Sequence, residues 1–205
     1  MIDGARFGGK IVVVVRVVIL GGPGAGKGTQ SQRLCQHLNI HGIMTGNVLR
    51  EVCCEADPCG IASQTDLGEQ AKSYVEKGEL VPDQLMIKFM RQRLLQPDVS
   101  NGWLLEGYPR TAFQAEELYF LLDELGQKLN WAIYLQVSES VMLERSQERG
   151  LADDRLEVLQ RRIQMFHQRT VPMLEYYQYR NRLLTINGEQ PPDLVTQEIL
   201  SKIVT

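Results

Sequence analysis

The sequence predicts an α/β fold, in which helices pack on the faces of an open, mainly parallel sheet. Short apolar runs rich in β-branched residues alternate along the 205-residue chain with longer segments of helical periodicity. The first of these runs leads directly into a glycine-rich segment, which is the arrangement at the carboxyl end of a strand in such a sheet. Because ligands bind at that edge, we expect the functional site there.

Five runs have the composition of strands. The run over residues 11–20 is almost unbroken in valine, isoleucine and leucine, as in a parallel strand that is buried on both faces. Three further runs lie at 102–106, 131–137 and 182–187, and a weaker one lies near 40–44. Helical patterns separate these runs, so one sheet is predicted for the whole chain.

The helical patterns begin and end at residues that favour helix termini. The first predicted helix begins at Gly26, the second covers 66–77 before Gly78, and the third follows Asp83 and stops before Pro97. A fourth ends at Gly126, and a long one runs from Asp153 toward Arg180 with a bend at Pro172. The last begins near Asp193. A further helix is expected after the run at 131–137. Residues 51–66 lack periodicity and contain Pro58 and Gly60, so this segment is predicted to be a loop.

The first ten residues are expected to be a flexible extension of a single domain that covers residues 11–205. Residues 1–9 hold three glycines and show no periodicity. An apolar run after Lys10 also occurs in signal peptides, but Arg16 interrupts this run and no small-residue cleavage site follows it. The run is too short to span a bilayer, so no membrane association is expected.

Composition narrows the class of protein further. The net charge of −3 argues against a general binder of nucleic acids or membrane surfaces, so any positive field must be local. The four cysteines, Cys35, Cys53, Cys54 and Cys59, lack the paired spacing of a zinc site. We expect reduced thiols in a reducing compartment, with a metal site or a redox switch as the alternative.

The segment GGPGAGKGTQ, residues 21–30, has the composition of a phosphate-binding loop. Glycines let backbone N–H groups approach a phosphate closely, and the N-terminus of the following helix attracts the anion. Lys27 adds a positive charge for the β- and γ-phosphate oxygens. The strict pattern G-x4-G-K-[ST] is displaced by one residue, because Gly28 follows the lysine and the hydroxyl comes at Thr29.

Four later stretches accompany this loop in order: TGNVLR (45–50), GELVPD (78–83), EGYPRTAFQ (106–114) and the ERGLADD…RR region (148–162). In these motifs the chain resembles the nucleoside monophosphate kinases, and the adenylate kinases most closely. The resemblance implies a P-loop NTPase fold with a five-stranded parallel sheet flanked by helices. It also implies a helical AMP-binding part over about 45–81 and a short lid over about 149–154.

The chemistry of such a transfer follows from the residue types. A nucleotide phosphate has a second pKa of about 6, so at pH 7 it is already an anion and accepts a phosphoryl group without a general base. The protein must bring two polyanions together and neutralise both, which calls for arginines, a metal ion and in-line geometry. The sequence offers five such arginines in or near the motifs: Arg50, Arg110, Arg145, Arg149 and Arg162. The histidines His37, His41 and His167 lie outside the motifs and are expected on the surface.

The resemblance implies roles for individual residues. Those expected to bind ATP are Gly22, Gly24, Ala25, Gly26, Lys27, Gly28, Thr29, Arg145 and Arg149. Those expected to bind AMP are Thr45, Gly46, Arg50, Val81, Gly107, Arg110, Gln114 and Arg162, with Thr45 and Gln114 on the adenine. The expected catalytic residues are Lys27, Arg110, Arg149 and Arg162. Mg²⁺ is expected as the cofactor of ATP, bound through waters near Glu106 and Thr29 and without a direct protein ligand.

Four residues depart from the family's pattern. Leu151 stands where the family has an arginine that stabilises the transferring group, and Glu106 stands where it has an aspartate near Mg²⁺. Met44 replaces a small residue and Asn47 replaces an acid, both beside the acceptor site. Either turnover is reduced, or Arg155 or a partner chain substitutes for the missing arginine.

The expected activity is ATP + AMP ⇌ 2 ADP, carried out by a monomer that binds no nucleic acid. The expected compartment is the cytoplasm, or the plastid stroma if the source is a plant or an alga. Two alternatives stay open. One is a CMP/UMP kinase, against which Thr45 argues because those enzymes more often have alanine there. The other is a nucleotide-binding regulatory module whose transfer is weakened by Leu151 and Glu106.

Overall fold

The computed structural model describes residues 4–7, 10–46, 74, 77, 79, 81–149 and 155–203. Its strands are β1 (Gly4–Phe7), β2 (Lys10–Val13), β3 (Val15–Leu20), β4 (His41–Met44), β5 (Gly102–Glu106), β6 (Trp131–Gln136) and β7 (Leu183–Asn187). In this part of the chain, β3 to β7 form one parallel sheet of five strands in the order β4-β5-β3-β6-β7. The predicted five-stranded parallel sheet is therefore confirmed.

The apolar run over residues 11–20 is two strands, which corrects the prediction of one. Only Val15–Leu20 enters the central sheet, whereas Lys10–Val13 pairs antiparallel with Gly4–Phe7. The reason lies in the partner strand, because Val15 already pairs with Gly102, the first residue of β5. The residues before Val15, Lys10–Val13, pair with β1 instead. Part of the segment that was expected to be a flexible extension therefore has the backbone of a regular strand.

The described helices are α1 (Lys27–Leu38), α2 (Asp83–Leu94), α3 (Ala112–Glu124), α4 (Glu139–Arg149), α5 (Leu156–Met165), α6 (Val171–Tyr179) and α7 (Pro192–Ile203). The predicted helices are confirmed at four places: α1 follows Gly26, α2 begins at Asp83, α3 ends shortly before Gly126, and α7 begins near Asp193. The predicted helix at 66–77, apart from Tyr74 and Lys77, and the predicted loop at 51–66 lie outside the described residues. None of the helices in the described part of the chain is long and apolar enough to cross a membrane.

The helix predicted to run toward Arg180 is interrupted by a π-helical segment over Phe166–Thr170. Pro172 follows in the first turn of α6. Proline has no N–H to donate and its ring crowds the carbonyl four residues earlier, so an ordinary α-helical turn is unfavourable there. The wider π turn accommodates this crowding just before the proline, and a bend of the helix at Pro172 stays a prediction.

Two apolar layers enclose the sheet. Val18 and Leu20 of β3 belong to the layer formed with α2, α3 and α6, whereas Val17 and Ile19 belong to the layer formed with α1, α5 and α7. This alternation follows from the period of two along a strand. Because β3 is central and covered on both faces, its carboxyl end is a rigid platform for the segment that follows.

Three chain segments meet at the carboxyl edge of the sheet. Ile19 near the end of β3 and Met44 at the end of β4 both pair in register with Glu106, the last residue of β5. The glycine-rich segment after β3, the residues after Met44 and the residues after Glu106 are therefore neighbours. The topology brings together three motifs that are widely separated in the sequence.

Candidate active site

The glycine loop (residues 21–26) joins β3 to α1 with two left-handed residues. Gly24 has a φ of +69° and Gly26 a φ of +86°. The Ala25 N–H donates to the Gly22 carbonyl at 3.3 Å, which closes the turn. Gly26 lies at the N-cap of α1, and no side chain of the described residues caps the N–H groups of the first turn. Those N–H groups and the helix dipole form a site for an anion.

The two left-handed glycines are required for different reasons. A Cβ on Gly24 would lie 2.5 Å from the Met142 carbonyl oxygen and 2.8 Å from the Ser146 hydroxyl, so the loop packs directly on α4. A Cβ on Gly26 would meet nothing within 4 Å among the described residues. Gly26 therefore faces open space, where a ligand would lie, and needs glycine only for its backbone conformation.

Lys27 is the first residue of α1 and points back over the loop. Its Nζ donates to the Gly22 carbonyl at 2.7 Å. Burial lowers the pKa of Lys27 to about 7; Glu106 opposes this effect, and the guanidinium groups of Arg110, Arg162 and Arg149 add to it. Burial disfavours the positively charged form of Lys27 in the free protein, and a bound polyanion would stabilise that form.

The β5–α3 loop (residues 107–111) lies opposite the glycine loop. Gly107 has a φ of +87°, and a Cβ there would lie 2.4 Å from the Thr45 hydroxyl oxygen. The Thr45 hydroxyl donates to the Glu106 carbonyl at 2.9 Å, and the Arg110 Nε donates to the Gly107 carbonyl at 2.8 Å. Gly107 thus lets β4, β5 and Arg110 approach one another.

Gln114, expected on the adenine, is used inside the protein. Its side chain is buried, its Oε1 accepts from the Arg110 N–H at 2.8 Å, and its Nε2 donates to Asp83 Oδ1 at 2.8 Å. The Thr170 hydroxyl donates to the Arg110 carbonyl at 3.0 Å. The backbone of Arg110 is therefore held by α2, α3 and the π-helical segment. The supporting roles of Asp83 and Thr170 carry no signal in the sequence.

A cleft of about 310 Å³ separates the two loops. Its lining includes Lys27, Glu106, Arg110, Arg145, Arg149 and Arg162. Four of the five arginines expected from the sequence therefore converge with the lysine, and Arg50 lies outside the described residues. Among the described residues that line the cleft, Glu106 is the only acid and none is a histidine. The arrangement can neutralise several phosphate charges at once.

A second cleft of about 290 Å³ adjoins the first along α1. Ala25, Gly26 and Thr29 line it together with Arg145, whose Nη1 donates to the Gly188 carbonyl at 2.9 Å. Gly188, Gln190 and Val195 complete its wall, although sequence reasoning assigned them no role. The only sequence signal for them is the glycine directly after the strand-like run at 182–187.

The remaining predicted residues take different positions. Gly28 and Gly46 line the cleft between the glycine loop and the β5–α3 loop. Gly22 packs against the Met142 side chain, and its carbonyl accepts from Lys27. Val81 is buried in the apolar layer that includes Tyr108. Near it, Glu79 forms an ion pair with Arg161 of α5 at 2.9 Å.

Glu106 and Thr29 fit a divalent cation. Glu106 Oε2 is buried and has no hydrogen-bond partner among the described residues. A Cβ on Gly28 would lie 3.9 and 4.0 Å from the two carboxylate oxygens, so the carboxylate faces the first turn of α1, where Thr29 is exposed. Carboxylate, hydroxyl and water oxygens are the donors that Mg²⁺ prefers, usually with several waters retained.

The residues outside the motifs stay outside the site. His37 contacts the Arg33 carbonyl, His41 lies 3.3 Å from Asp98, and His167 lies 3.8 Å from Glu139. Cys35 is a free thiol whose pKa is raised to about 11 by burial, so it is unreactive at neutral pH. The other three cysteines and Leu151 and Asn47 lie outside the described residues.

Comparison with known proteins gives matches along nearly the whole chain. The family model described as "Adenylate kinase" matches residues 19–182. Adenylate kinase 2 of Nostoc sp. is 59% identical over 190 residues, which cover 93% of this chain and 99% of that protein. Adenylate kinase 2 of Synechocystis sp. is 52% identical over 189 residues, covering 92% and 100%. Adenylate kinase of Bifidobacterium longum is 38% identical over 193 residues, covering 92% and 100%.

Proposed function

The chain belongs to the adenylate kinase family, and from this premise we propose that it catalyses ATP + AMP ⇌ 2 ADP with Mg²⁺. The observation that carries the proposal is the cleft between the glycine loop and the β5–α3 loop. Lys27 and four arginines line it, and Glu106 is the one acid among its described lining residues. Such a cleft suits two facing polyphosphates, and transfer between phosphate groups needs no general base.

On the donor side, the glycine loop holds the ATP phosphates. The free N–H groups at the start of α1 donate to phosphate oxygens, and Lys27 exchanges its contact with the Gly22 carbonyl for the β- and γ-phosphates. Adenine occupies the adjoining cleft beside Arg145, which the Gly188 carbonyl holds in place. This assigns Gly24, Ala25, Gly26, Gly28 and Thr29 to ATP.

On the acceptor side, Arg110 binds the AMP phosphate. Hydrogen bonds hold its backbone at both the N–H and the carbonyl, so the guanidinium starts from a defined position. Such preorganisation lowers the cost of orienting the reacting groups. Thr45, Gly46, Val81 and Gly107 surround the nucleoside, and Arg50 and Gln114 are further contacts under this proposal.

At the transferring group, Arg149 and Arg162 neutralise charge that develops on the equatorial oxygens. Arg149 ends α4 and Arg162 lies in α5, and both lower the pKa of Lys27 through space. Cations already held in position stabilise the transition state without reorganisation. The AMP phosphate attacks as an anion, so no proton has to be removed.

Glu106 and Thr29 are the residues that would hold Mg²⁺, through waters bound to their oxygens. When bound, the metal would supply positive charge that neutralises phosphate oxygens. Glu106 is longer by one methylene than the aspartate of the family. Its Oε2 has no hydrogen-bond partner in the described part of the chain, and this oxygen and its position against Gly28 support the assignment.

We further propose that Arg155 substitutes for the arginine missing at residue 151. Arg155 is exposed and immediately precedes α5, the helix that carries Arg162. On this proposal Arg155→Ala lowers turnover by about 100-fold, the effect of one preorganised cation, and Leu151→Arg adds little. A large gain on Leu151→Arg with no loss on Arg155→Ala would instead mean that transfer is weakened.

The proposed reaction is tested by measuring ADP formation from Mg-ATP with AMP, CMP, UMP and GMP offered in parallel. Fast turnover with AMP alone is expected. Preference for CMP or UMP would contradict the assignment of the acceptor. Tight binding of ATP and AMP without ADP formation would leave a nucleotide-binding module.

We also propose that the enzyme acts as a monomer in the cytoplasm, or in the plastid stroma if the source is a plant or an alga. The similarity to proteins of Nostoc sp. and Synechocystis sp. is consistent with the cytoplasm. Light scattering of the purified chain tests the monomer. A dimeric mass would contradict it.

A further inference from the structure

A third cleft, of about 330 Å³, lies between α3 and α6. We name it the tyrosine cleft, and its lining includes Tyr119, Tyr176, Tyr177, Lys128, Arg180 and Arg182. Lys128 precedes β6 and Arg182 precedes β7, so the cleft lies at the amino ends of these strands. The glycine loop follows the carboxyl end of β3, at the opposite edge of the sheet. The tyrosine cleft is therefore separate from the nucleotide site.

Aromatic rings and a guanidinium form its walls. The Arg180 guanidinium carbon lies 3.7 Å from the ring centroid of Tyr176 and 5.8 Å from that of Tyr119. Tyr176 and Tyr177 meet edge to face at 5.3 Å between ring centroids. Stacking on Tyr176 orients the planar guanidinium at the cleft. Rings and guanidinium planes of this kind offer flat surfaces to a planar ligand.

The charge of the cleft is positive, although the chain carries a net charge of −3. Lys128, Arg180 and Arg182 face only one acid of the lining, Asp123. Across the described ranges, these three cations form no ion pair with a carboxylate. Arg180 uses one N–H for the Tyr176 carbonyl at 3.4 Å. Most of their donors are left for solvent or for an anionic ligand.

Tyr177 lines the cleft from its buried side and is only 3% exposed. Its hydroxyl oxygen is fully buried and has no hydrogen-bond partner among the described residues, so a ligand in the cleft meets the ring and not the hydroxyl. The ring adds apolar surface against which an aromatic ligand packs.

We propose that the tyrosine cleft binds a small planar aromatic anion, that is, an aromatic ring carrying one carboxylate, sulfonate or phosphate. The ring packs among Tyr119, Tyr176 and Tyr177, and the anionic group is held by Arg180 and Arg182. The volume is in the range of small-molecule sites.

The test is a titration of the full-length protein with 1-naphthoate, followed through the backbone amide signals by NMR. Saturating Mg-ADP is present throughout, so that the nucleotide clefts are filled. Saturable shifts are expected in residues 119–129 and 176–182. The neutral isostere 1-naphthalenemethanol is expected to bind more weakly by about tenfold, because it lacks the charge that the guanidinium groups recognise.

Variants sharpen the test. Arg180→Ala combined with Arg182→Ala is expected to weaken naphthoate binding by at least about tenfold. Lys202→Ala, which removes a cation on α7, is the matched control and is expected to bind as the parent does. Tyr177→Phe keeps the ring and is expected to bind naphthoate and to fold as the parent does, because the hydroxyl has no partner among the described residues.

Four outcomes would overturn the proposal. They are no saturable shifts at millimolar naphthoate, shifts confined to the nucleotide clefts, equal binding of the neutral alcohol, and unchanged binding by the double arginine variant. None of these outcomes bears on phosphoryl transfer, so the proposed reaction and this site stand or fall separately.

Discussion

The glycine loop and the β5–α3 loop face each other across one cleft but are built by opposite means. The glycine loop relies on backbone conformation, with left-handed glycines and the uncapped first turn of α1. The β5–α3 loop relies on side-chain hydrogen bonds, in which Gln114, Asp83 and Thr170 hold the backbone of Arg110. One loop offers N–H groups directly, and the other positions a single guanidinium.

The difference teaches what each half of the site tolerates. A backbone-built loop is sensitive to an added Cβ, because the chain has no room or no suitable φ for it. A loop held by buried polar side chains is sensitive to the loss of one partner, because the other partner is left unsatisfied.

Lys27→Met is expected to lower turnover by about 10²- to 10³-fold, the usual effect of removing one preorganised charge-stabilising group. The fold should survive, because methionine removes a cation whose burial is unfavourable in the free protein. Steady-state ADP formation measures the first effect and thermal unfolding the second. Unchanged turnover would contradict the assignment of Lys27 to the ATP phosphates.

Gly24→Ala and Gly26→Ala form a matched pair within the glycine loop. Both force alanine into a left-handed conformation, which costs about 1–2 kcal/mol. Only Gly24→Ala also drives a Cβ to 2.5 Å from the Met142 carbonyl oxygen. Its loss of unfolding free energy is therefore expected to be larger by at least about 1 kcal/mol. Urea denaturation measures both, and equal losses would show that packing against α4 is unimportant.

Gln114→Leu is expected to raise the KM for AMP by about tenfold, because the part-buried N–H of Arg110 loses its acceptor and Asp83 loses one of its donors, at a cost of about 1–3 kcal/mol. The KM for ATP should change little, since Gln114 belongs to the acceptor half. Gln96→Leu, an exposed glutamine after α2, is the control. Equal rises for both substrates would contradict the division into two halves.

Nucleotide binding is expected to take up a proton in alkaline solution. The pKa of Lys27 is lowered to about 7, so in the free protein at about pH 8.5 it is mostly neutral. Bound phosphate favours the charged form, and uptake should approach one proton there and decline toward about pH 6, where Lys27 is already protonated. Calorimetry in buffers of different ionisation enthalpy measures this number. Uptake that persists in Lys27→Met would assign the proton elsewhere.

The same lowered pKa has a consequence for stability. Between about pH 7 and pH 10 the unfolded chain binds more protons at Lys27 than the folded chain does. The contribution of this site to the free energy of unfolding therefore rises with pH in that window. Lys27→Met should lack this rise, which urea denaturation at several pH values can check.

Local patterns were sufficient for the glycine loop, for the sheet and for most described helices. Gly26 followed by Lys27, and apolar residues at helical spacing, act through neighbours in the chain, so the sequence contains their signal. Local patterns could not predict where β3, the strand before the glycine loop, begins. Its start depends on the register with β5, where Gly102 pairs with Val15 and leaves the earlier residues without a partner in the central sheet.

The hydrogen bonds that support Arg110 could not be predicted from local sequence patterns either. Asp83 lies 31 residues from Gln114, and Thr170 lies 60 residues from Arg110. Neither spacing has a period that a sequence can reveal. Gln114 was expected on the adenine because of its place in a motif, and the structure gives it a buried structural role beside Arg110. Contact with the adenine stays a prediction.

Residue type and spacing within one segment are enough to predict the class of fold, the phosphate-binding loop and the set of cations. The groups that share a cleft, the described hydroxyls and carboxylates that lack a partner, and the position of the tyrosine cleft become known from the folded chain alone. These properties depend on distances between segments that meet only after the sheet has formed, and burial at those meeting points sets the energy of each polar group.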